Sequence, residues 1–240
     1  MSTFFRSMSD GYVFPMFGWL HWSILGILLV GYFYIFWNAR KNPKQLFRFH
    51  QVLLGLILLE QVLLYPWYYF ALGFDPRVSL PMYSCRLAML LYLFGDFFDN
   101  RALRYFAAYF GFPGGLVALF FPVLDNYSFP HLTNFTYFIG HLSLSWISVI
   151  FLLSDRSQKS YIKESLLFTH LYLVITYMVD LRYDTNYAYL MESPIFTEFF
   201  KGFSHPVYLG IIYLVYISAL LMVHWGFQSL RSHYQRIASN

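Results

Sequence analysis

Apolar runs of about twenty residues recur along the whole chain. As a helix, a run of that length spans the ~30 Å hydrocarbon core of a bilayer. Of the 240 residues, 58% are hydrophobic and only 12% are charged, about half the charged share of a soluble domain. The solvent such a sequence must fold against is lipid. The pattern predicts an all-α, polytopic membrane helix bundle. No stretch of soluble length stands apart, so residues 1–240 are read as a single transmembrane domain.

Seven helices are expected, at roughly 16–37, 48–71, 79–98, 102–123, 132–154, 162–183 and 205–228. Polar breaks separate them: Asn38 to Lys44, Gly73-Phe74-Asp75-Pro76, Asp96 to Arg104, Asp125 to Pro130, Ser154 to Lys163 and Tyr183 to Ser204. The first apolar stretch runs to about Trp37 without a small-residue cleavage pattern, and is expected to be a retained helix. Lys and Arg orient the bundle. Arg40, Lys41, Lys44, Arg48, Arg101, Arg104, Arg156, Lys159, Lys163, Arg231 and Arg236 fall on one side. Only Arg6, Arg77, Arg182 and Lys201 fall on the other, and Arg86 lies within a helix. The positive-inside rule then puts the N-terminus outside and the C-terminus inside. The net charge of +4 is explained by this topology. No basic, aromatic-interleaved strand or zinc-finger spacing points to nucleic acid. The 28 Phe and 22 Tyr suit the interfacial belts of a membrane protein.

Cys85 is the only cysteine. One thiol excludes an intrachain disulfide and a thiolate zinc site, leaving a packing residue, a lipidation site or a nucleophile. With the third helix starting near Ser79, Cys85 falls about 9 Å along its axis. By the same rise His21 lies about 7–8 Å in and His141 about 13 Å in. Asp180 is expected within one turn of the outer surface, and His205 starts the last helix there. Five helices thus bring polar side chains to one layer of the outer half. Glu60 sits near mid-membrane on the second helix, and His170 lies deeper. Ionisable groups in a bilayer usually face the bundle interior and often mark function. Each also has a plainer reading. Cys85 is a small packing residue, His21 and His205 are interfacial, and Glu60 is a structural counter-ion for Arg86. The triplets Asn126-Tyr-Ser and Asn134-Phe-Thr match a glycosylation pattern by chance.

Cys85 with His141 is the pair of chemical interest. A thiol becomes a strong nucleophile when an imidazole or cation stabilises its thiolate. Asp180 is placed to orient an imidazole in the third-member role. Arg86 points about 100° away from Cys85 on a helix and suits an anionic head group.

Leu80-Pro81-x-x-x-Cys85, the run Tyr137-Phe138-Ile139-Gly140-His141, and Asp180-x-x-Tyr183-x-x-Asn186-Tyr187-x-Tyr189-Leu190-x-x-x-Pro194 together resemble the YwaF-type integral membrane proteins. These in turn resemble the eukaryotic transmembrane C2 acyltransferase of ether phospholipids. The likeness runs from about His21 to Pro194. It implies a compact helical membrane protein with a Cys-dependent acyl-transfer site. In this resemblance Cys85 is the family's cysteine, His141 its histidine, and Asp180, Asn186 and Tyr187 line or brace the site. Where members commonly carry a His two residues before the cysteine, this chain has Tyr83.

The expected activity is therefore a thiol-dependent acyltransferase or transacylase. Cys85 would hold an acyl chain taken from a membrane phospholipid and pass it to a lysolipid or other hydroxyl acceptor. His141 would serve as base, Asn186 or Tyr187 as oxyanion donor, and Arg86, with His21 and Glu60 in the same layer, would bind substrate. No metal, cofactor or coenzyme A is expected. A bacterial plasma membrane with the site toward the outer leaflet is expected. The rival readings are a transporter or lipid-binding carrier, and a non-catalytic envelope assembly factor.

Overall fold

The computed structural model describes residues 3–155, 157 and 160–238. Arg156 and Lys159 of the expected inner loop lie outside the described residues, as do the side chains of Arg40 and Arg236. Nine helices are present among the described residues: α1 (Trp19–Lys41), α2 (Pro43–Leu72), α3 (Pro76–Ser79), α4 (Ser84–Phe97), α5 (Arg101–Phe120), α6 (Leu132–Ser154), α7 (Ile162–Tyr183), α8 (Thr197–Phe200) and α9 (His205–Ala238). No strand occurs among them.

Local chemistry sets the boundaries. Asn42 ends α1 and caps α2, accepting from the Gln45 N–H at 3.4 Å, and Pro43 follows at the first helical position. Gly73 ends α2 in the left-handed conformation, φ 69°, where a side chain would be strained. Asn100 caps α5 and His131 caps α6 through their side chains.

Six helices are long and apolar enough to cross a membrane: α1, α2, α5, α6, α7 and α9. The segment expected at 79–98 is the exception. Its helix, α4, has 14 residues and reaches only about 21 Å. The reason lies at Leu80, which precedes Pro81. That position disfavours the helical region, and Leu80 is extended at φ −72°, ψ 144°. The chain then stays unwound to Tyr83, also extended.

Helix α6 is the centre of the bundle. In its most apolar window 67% of residues are buried, against 50% for α5 and 28% or less for the other four spans. It packs on α1, α2, α4, α5 and α9. Gly111 and Gly115 on α5 form a small-x-x-x-small pair against it. A Cβ on Gly111 would meet Leu144 Cδ1 and Ser148 Oγ at 2.7 Å, and one on Gly115 would meet Ser145 Cβ at 3.0 Å. Such spacing lets two membrane helices approach closely. Large apolar side chains lie exposed on the outer helices, among them Val30 and Phe33 on α1, Leu171 and Val174 on α7, and Leu214 and Met222 on α9. Facing water they would be unstable; facing lipid they are the expected surface. This is an integral membrane protein.

Candidate functional site

The unwound residues 80–83 decide where Cys85 sits. Backbone without helical bonds is tolerated at membrane depth only if protein satisfies it. Here side chains do so. Tyr187 donates to Pro76 O at 2.6 Å and accepts from Leu80 N at 3.2 Å. Tyr172 donates to Met82 O at 2.8 Å, and Arg86 to Val78 O at 2.9 Å. Cys85 is therefore the second residue of α4 rather than six residues inside a helix. Tyr83, at the cap position, makes no side-chain capping bond. Among the described residues, the N–H groups of Ser84, Cys85 and Arg86 reach no backbone acceptor. A thiol at such a terminus sits at the positive end of the helix dipole.

The sulfur lies against Gly114 of α5, where a Cβ would come within 2.9 Å of Sγ. One residue on, Gly115 receives α6, and a Cβ there would meet His141 O at 3.2 Å. The Gly114-Gly115 step thus brings the helix of Cys85 and the helix of His141 onto one turn of α5. Around the sulfur, within Coulombic reach, are Tyr137 from α6, Tyr172 from α7, Tyr189 from the 184–204 loop and Tyr216 from α9.

His141 Nδ1–H donates to Tyr137 O at 2.6 Å. In the neutral ring this leaves the lone pair on Nε2, which has no protein partner among the described residues. That is the tautomer a general base needs. No hydrogen bond joins Cys85 to His141.

Arg86 is half-buried. Its guanidinium donates to Tyr68 Oη as well as to Val78 O, and lies over the rings of Tyr68 and Tyr83 at 4.9 and 5.5 Å. Glu60 and Asp125 are within Coulombic reach of it, but neither forms an ion pair with it. Glu60 is buried at 6% exposure and accepts from Gln61 Nε2. Gly140 makes room for its carboxyl, which a Cβ there would approach at 3.6 Å. Beside this cluster Gln61 Oε1, Tyr65 Oη and Ser79 Oγ are buried without partners.

The remaining expected residues are placed differently. Asp180 is buried and meets no imidazole. Its Oδ1 accepts from Thr185 Oγ1 at 2.6 Å and from Tyr187 N at 2.8 Å, and its Oδ2 is unpartnered. Asn186 uses both ends of its amide on its own loop, donating to Glu192 O and accepting from Met191 N and Glu192 N. Tyr187 is fully buried, its ring edge-on to Tyr83 at 4.9 Å. Tyr187, held by Asp180, braces the segment leading to Cys85. His21 stands apart: its Nδ1 accepts from Phe17 N and its Nε2–H donates to Leu119 O, both at 2.8 Å. It locks α1 to α5. His170 bonds Leu166 O and Tyr213, and His205 stacks between Tyr177 and Tyr208. Among the described residues no three His, Cys, Asp or Glu side chains group as metal ligands would.

Sequence reasoning placed Tyr137 and Tyr189 in motifs without a role at the thiol, and missed Tyr172, Tyr216 and the glycine step. Tyr172 and Tyr216 carry no signal among 22 tyrosines. The glycines do, as adjacent residues after Pro113 inside an apolar helix.

The model of the TMEM164 family, a family of membrane proteins, matches residues 16–227. No curated protein and no solved structure matches the chain.

Proposed function

The chain belongs to the TMEM164 family, and on that premise we propose that it is a thiol-dependent lipid acyltransferase or transacylase. The YwaF-type likeness and the ether-phospholipid acyl transfer it implies are part of this proposal. The observation that carries it is the position of Cys85. A nucleophile sits at an uncapped helix start, on the glycine step that also receives the helix of an imidazole with a free Nε2.

The chemistry runs in two halves. The Sγ proton passes to His141 Nε2, through a water or on closure around substrate, and Sγ attacks the acyl carbonyl of a membrane phospholipid. The oxyanion is taken by the N–H groups that open α4, which are free where the Asn186 and Tyr187 side chains are committed elsewhere. The C–O ester bond breaks, and the departing lysolipid takes the proton from His141. In the second half His141 deprotonates the acceptor hydroxyl, whose oxygen attacks the thioester and releases the thiol. Arg86 keeps N–H groups beyond its two protein bonds and would hold the lipid phosphate. Asp180 acts through Tyr187 to hold the unwound segment in place.

With the N-terminus outside, α4 begins in the outer half of a plasma membrane. The donor is then membrane lipid, since acyl-coenzyme A is not available there. Incubation with phospholipid should leave an acyl adduct on Cys85 in intact-protein mass spectrometry. Cys85→Ala should abolish transfer of a labelled chain. Full transfer by that variant would end the proposal. A lipid-binding carrier is the second reading, favoured by the absence of a bond between Cys85 and His141. Under it, Cys85→Ala moves lipid as the wild type does and no adduct forms.

A further inference from the structure

A polar cleft opens toward the other end of the bundle, about 8–13 Å along α5 from Gly114 at 1.5 Å per residue. Tyr105 and Tyr109 of α5, Ser160 before α7, and His224, Gln228 and Arg231 of α9 line it, around a cavity of about 40 Å³. Clefts for whole small molecules run to roughly 300–1,000 Å³; this one has room for a single small polar group.

The lining is built of donors. Arg231 is fixed by Nε to Leu152 O and by Nη1 to Tyr105 Oη at 3.2 Å. Among the described residues its Nη2 has no partner. The guanidinium is thus locked in direction with one edge of its fork open. Tyr109 Oη and His224 Nδ1 are 2.7 Å apart. Among the described residues the buried hydroxyl has no other partner to donate to, so Nδ1 accepts and Nε2 carries the proton. His224 is 7% exposed, and among the described residues its Nε2–H has no acceptor. Ser160 accepts from Ile162 N at 3.5 Å and keeps its own proton. The Asp155 carboxylate is outside the lining. It accepts from Tyr105 Oη at 2.7 Å and from Ser157 N at 3.4 Å.

We infer that this cleft binds a phosphate-bearing anion at the membrane face opposite Cys85. An oriented guanidinium with an open edge recognises phosphate oxygens in pairs. The N–H of His224 and the hydroxyl of Ser160 supply the further donors a phosphate accepts. A cation is disfavoured by Arg231. The phosphate belongs to an anionic lipid head group of that leaflet or to a soluble phosphate compound. This site does not depend on the acyl-transfer reading.

The test uses the full chain in nanodiscs of phosphatidylcholine, with and without phosphatidylglycerol. Retained phosphatidylglycerol is counted by native mass spectrometry. In a parallel arm, inorganic phosphate is added to the phosphatidylcholine discs and the melting temperature is read. Retention of phosphatidylglycerol alone identifies a head-group site, and protection by phosphate alone a soluble ligand. Either response should weaken at least about tenfold in Arg231→Gln, as for loss of a charge-assisted pair. Ser160→Glu places a carboxylate at the mouth without touching the bonds of Arg231, and should weaken it as much. It decides the matter if Arg231→Gln does not fold. No response in either arm, or a wild-type response in folded Ser160→Glu, would overturn the inference.

Discussion

Replacing Gly114 with alanine separates the placement of the Cys85 sulfur from the stability of the bundle. The new Cβ would stand 2.9 Å from Sγ and 3.9 Å from Ser84 Oγ. Relaxed non-bonded contacts fall near 3.5–4.0 Å, so the sulfur must retreat by roughly 0.6–1.1 Å. It is the terminal atom on one rotatable bond, and turning it off its rotamer costs about 0.5–1.5 kcal/mol. Alanine is favoured over glycine inside a helix by about 1 kcal/mol, which offsets most of that. The variant should therefore melt close to the wild type. Its thiol, however, is displaced by about 1 Å, and misplacement on that scale costs about a hundredfold in a reacting geometry. The assay is the time course of the acyl adduct on Cys85 after mixing with phospholipid, with maleimide labelling of the same thiol as a readout independent of catalysis. Wild-type rates of both in a folded Gly114→Ala protein would refute the reasoning.

Three further outcomes follow from the packing and the outer loops. A Cβ on Gly31 would lie 2.1 Å from the Trp146 ring, a rigid group held by its bond to Leu28 O. Gly31→Ala should cost about 1–3 kcal/mol or more in detergent unfolding, while Gly26→Ala, with nothing within 4 Å, should be neutral or stabilising. Tyr187→Phe strips partners from Pro76 O and Leu80 N; it should cost about 1–3 kcal/mol and raise hydrogen exchange at residues 76–83 before the rest of the bundle. His131, just ahead of α6, is held by burial below its ordinary value near 6.5. Its Nδ1 accepts from Thr133 and its Nε2–H donates to Arg6 O at 3.0 Å; Arg6, Asp10 and Asp125 are the charges that face it. The unfolded chain takes up this proton first, so the stability from His131 is complete above about pH 6.5 and is lost as pH falls below it. The Asp10 carboxyl, lowered to about 2 chiefly by Ser128, stays ionised through that window. Proteolysis of residues 3–18 should therefore rise between neutral pH and pH 5 in the wild type and be flat in His131→Gln, and equal pH profiles in the two would contradict the assignment.

The long helices were legible because hydropathy alone sets them. Α-helical spans at 132–154 and 162–183 match α6 and α7 to within a residue. The start of α4 was misjudged, although its signal was present: Leu80 precedes a proline and is extended for that reason. Rise per residue gives the height of a side chain in the membrane but not the direction it faces. His21 and Cys85 were assigned one layer, yet His21 closes its ring on Phe17 and Leu119 while Cys85 faces Gly114 and the tyrosines. Direction is set by which neighbour is small, and that depends on glycines from another helix.

The same geometry explains why residues grouped with the cysteine by sequence divide in the structure. An unwound stretch inside a membrane protein exposes backbone groups that something must satisfy. Tyr187, Tyr172 and Arg86 do this for residues 76–83. Asp180 then holds the backbone of Tyr187, and Asn186 holds the loop that follows. These residues are tied together by the break before Cys85 rather than by contact with its sulfur. Their substitution should therefore act through the position of α4, with stability and thiol placement changing together. Gly114 differs because it touches the sulfur without supporting the break. Arg86 also supports the break through Val78 O, and its bonds to Val78 and Tyr68 leave part of the guanidinium open. A break in a helix that must be braced at this cost is explained if the helix start it creates is needed, and the side chain it presents there is Cys85.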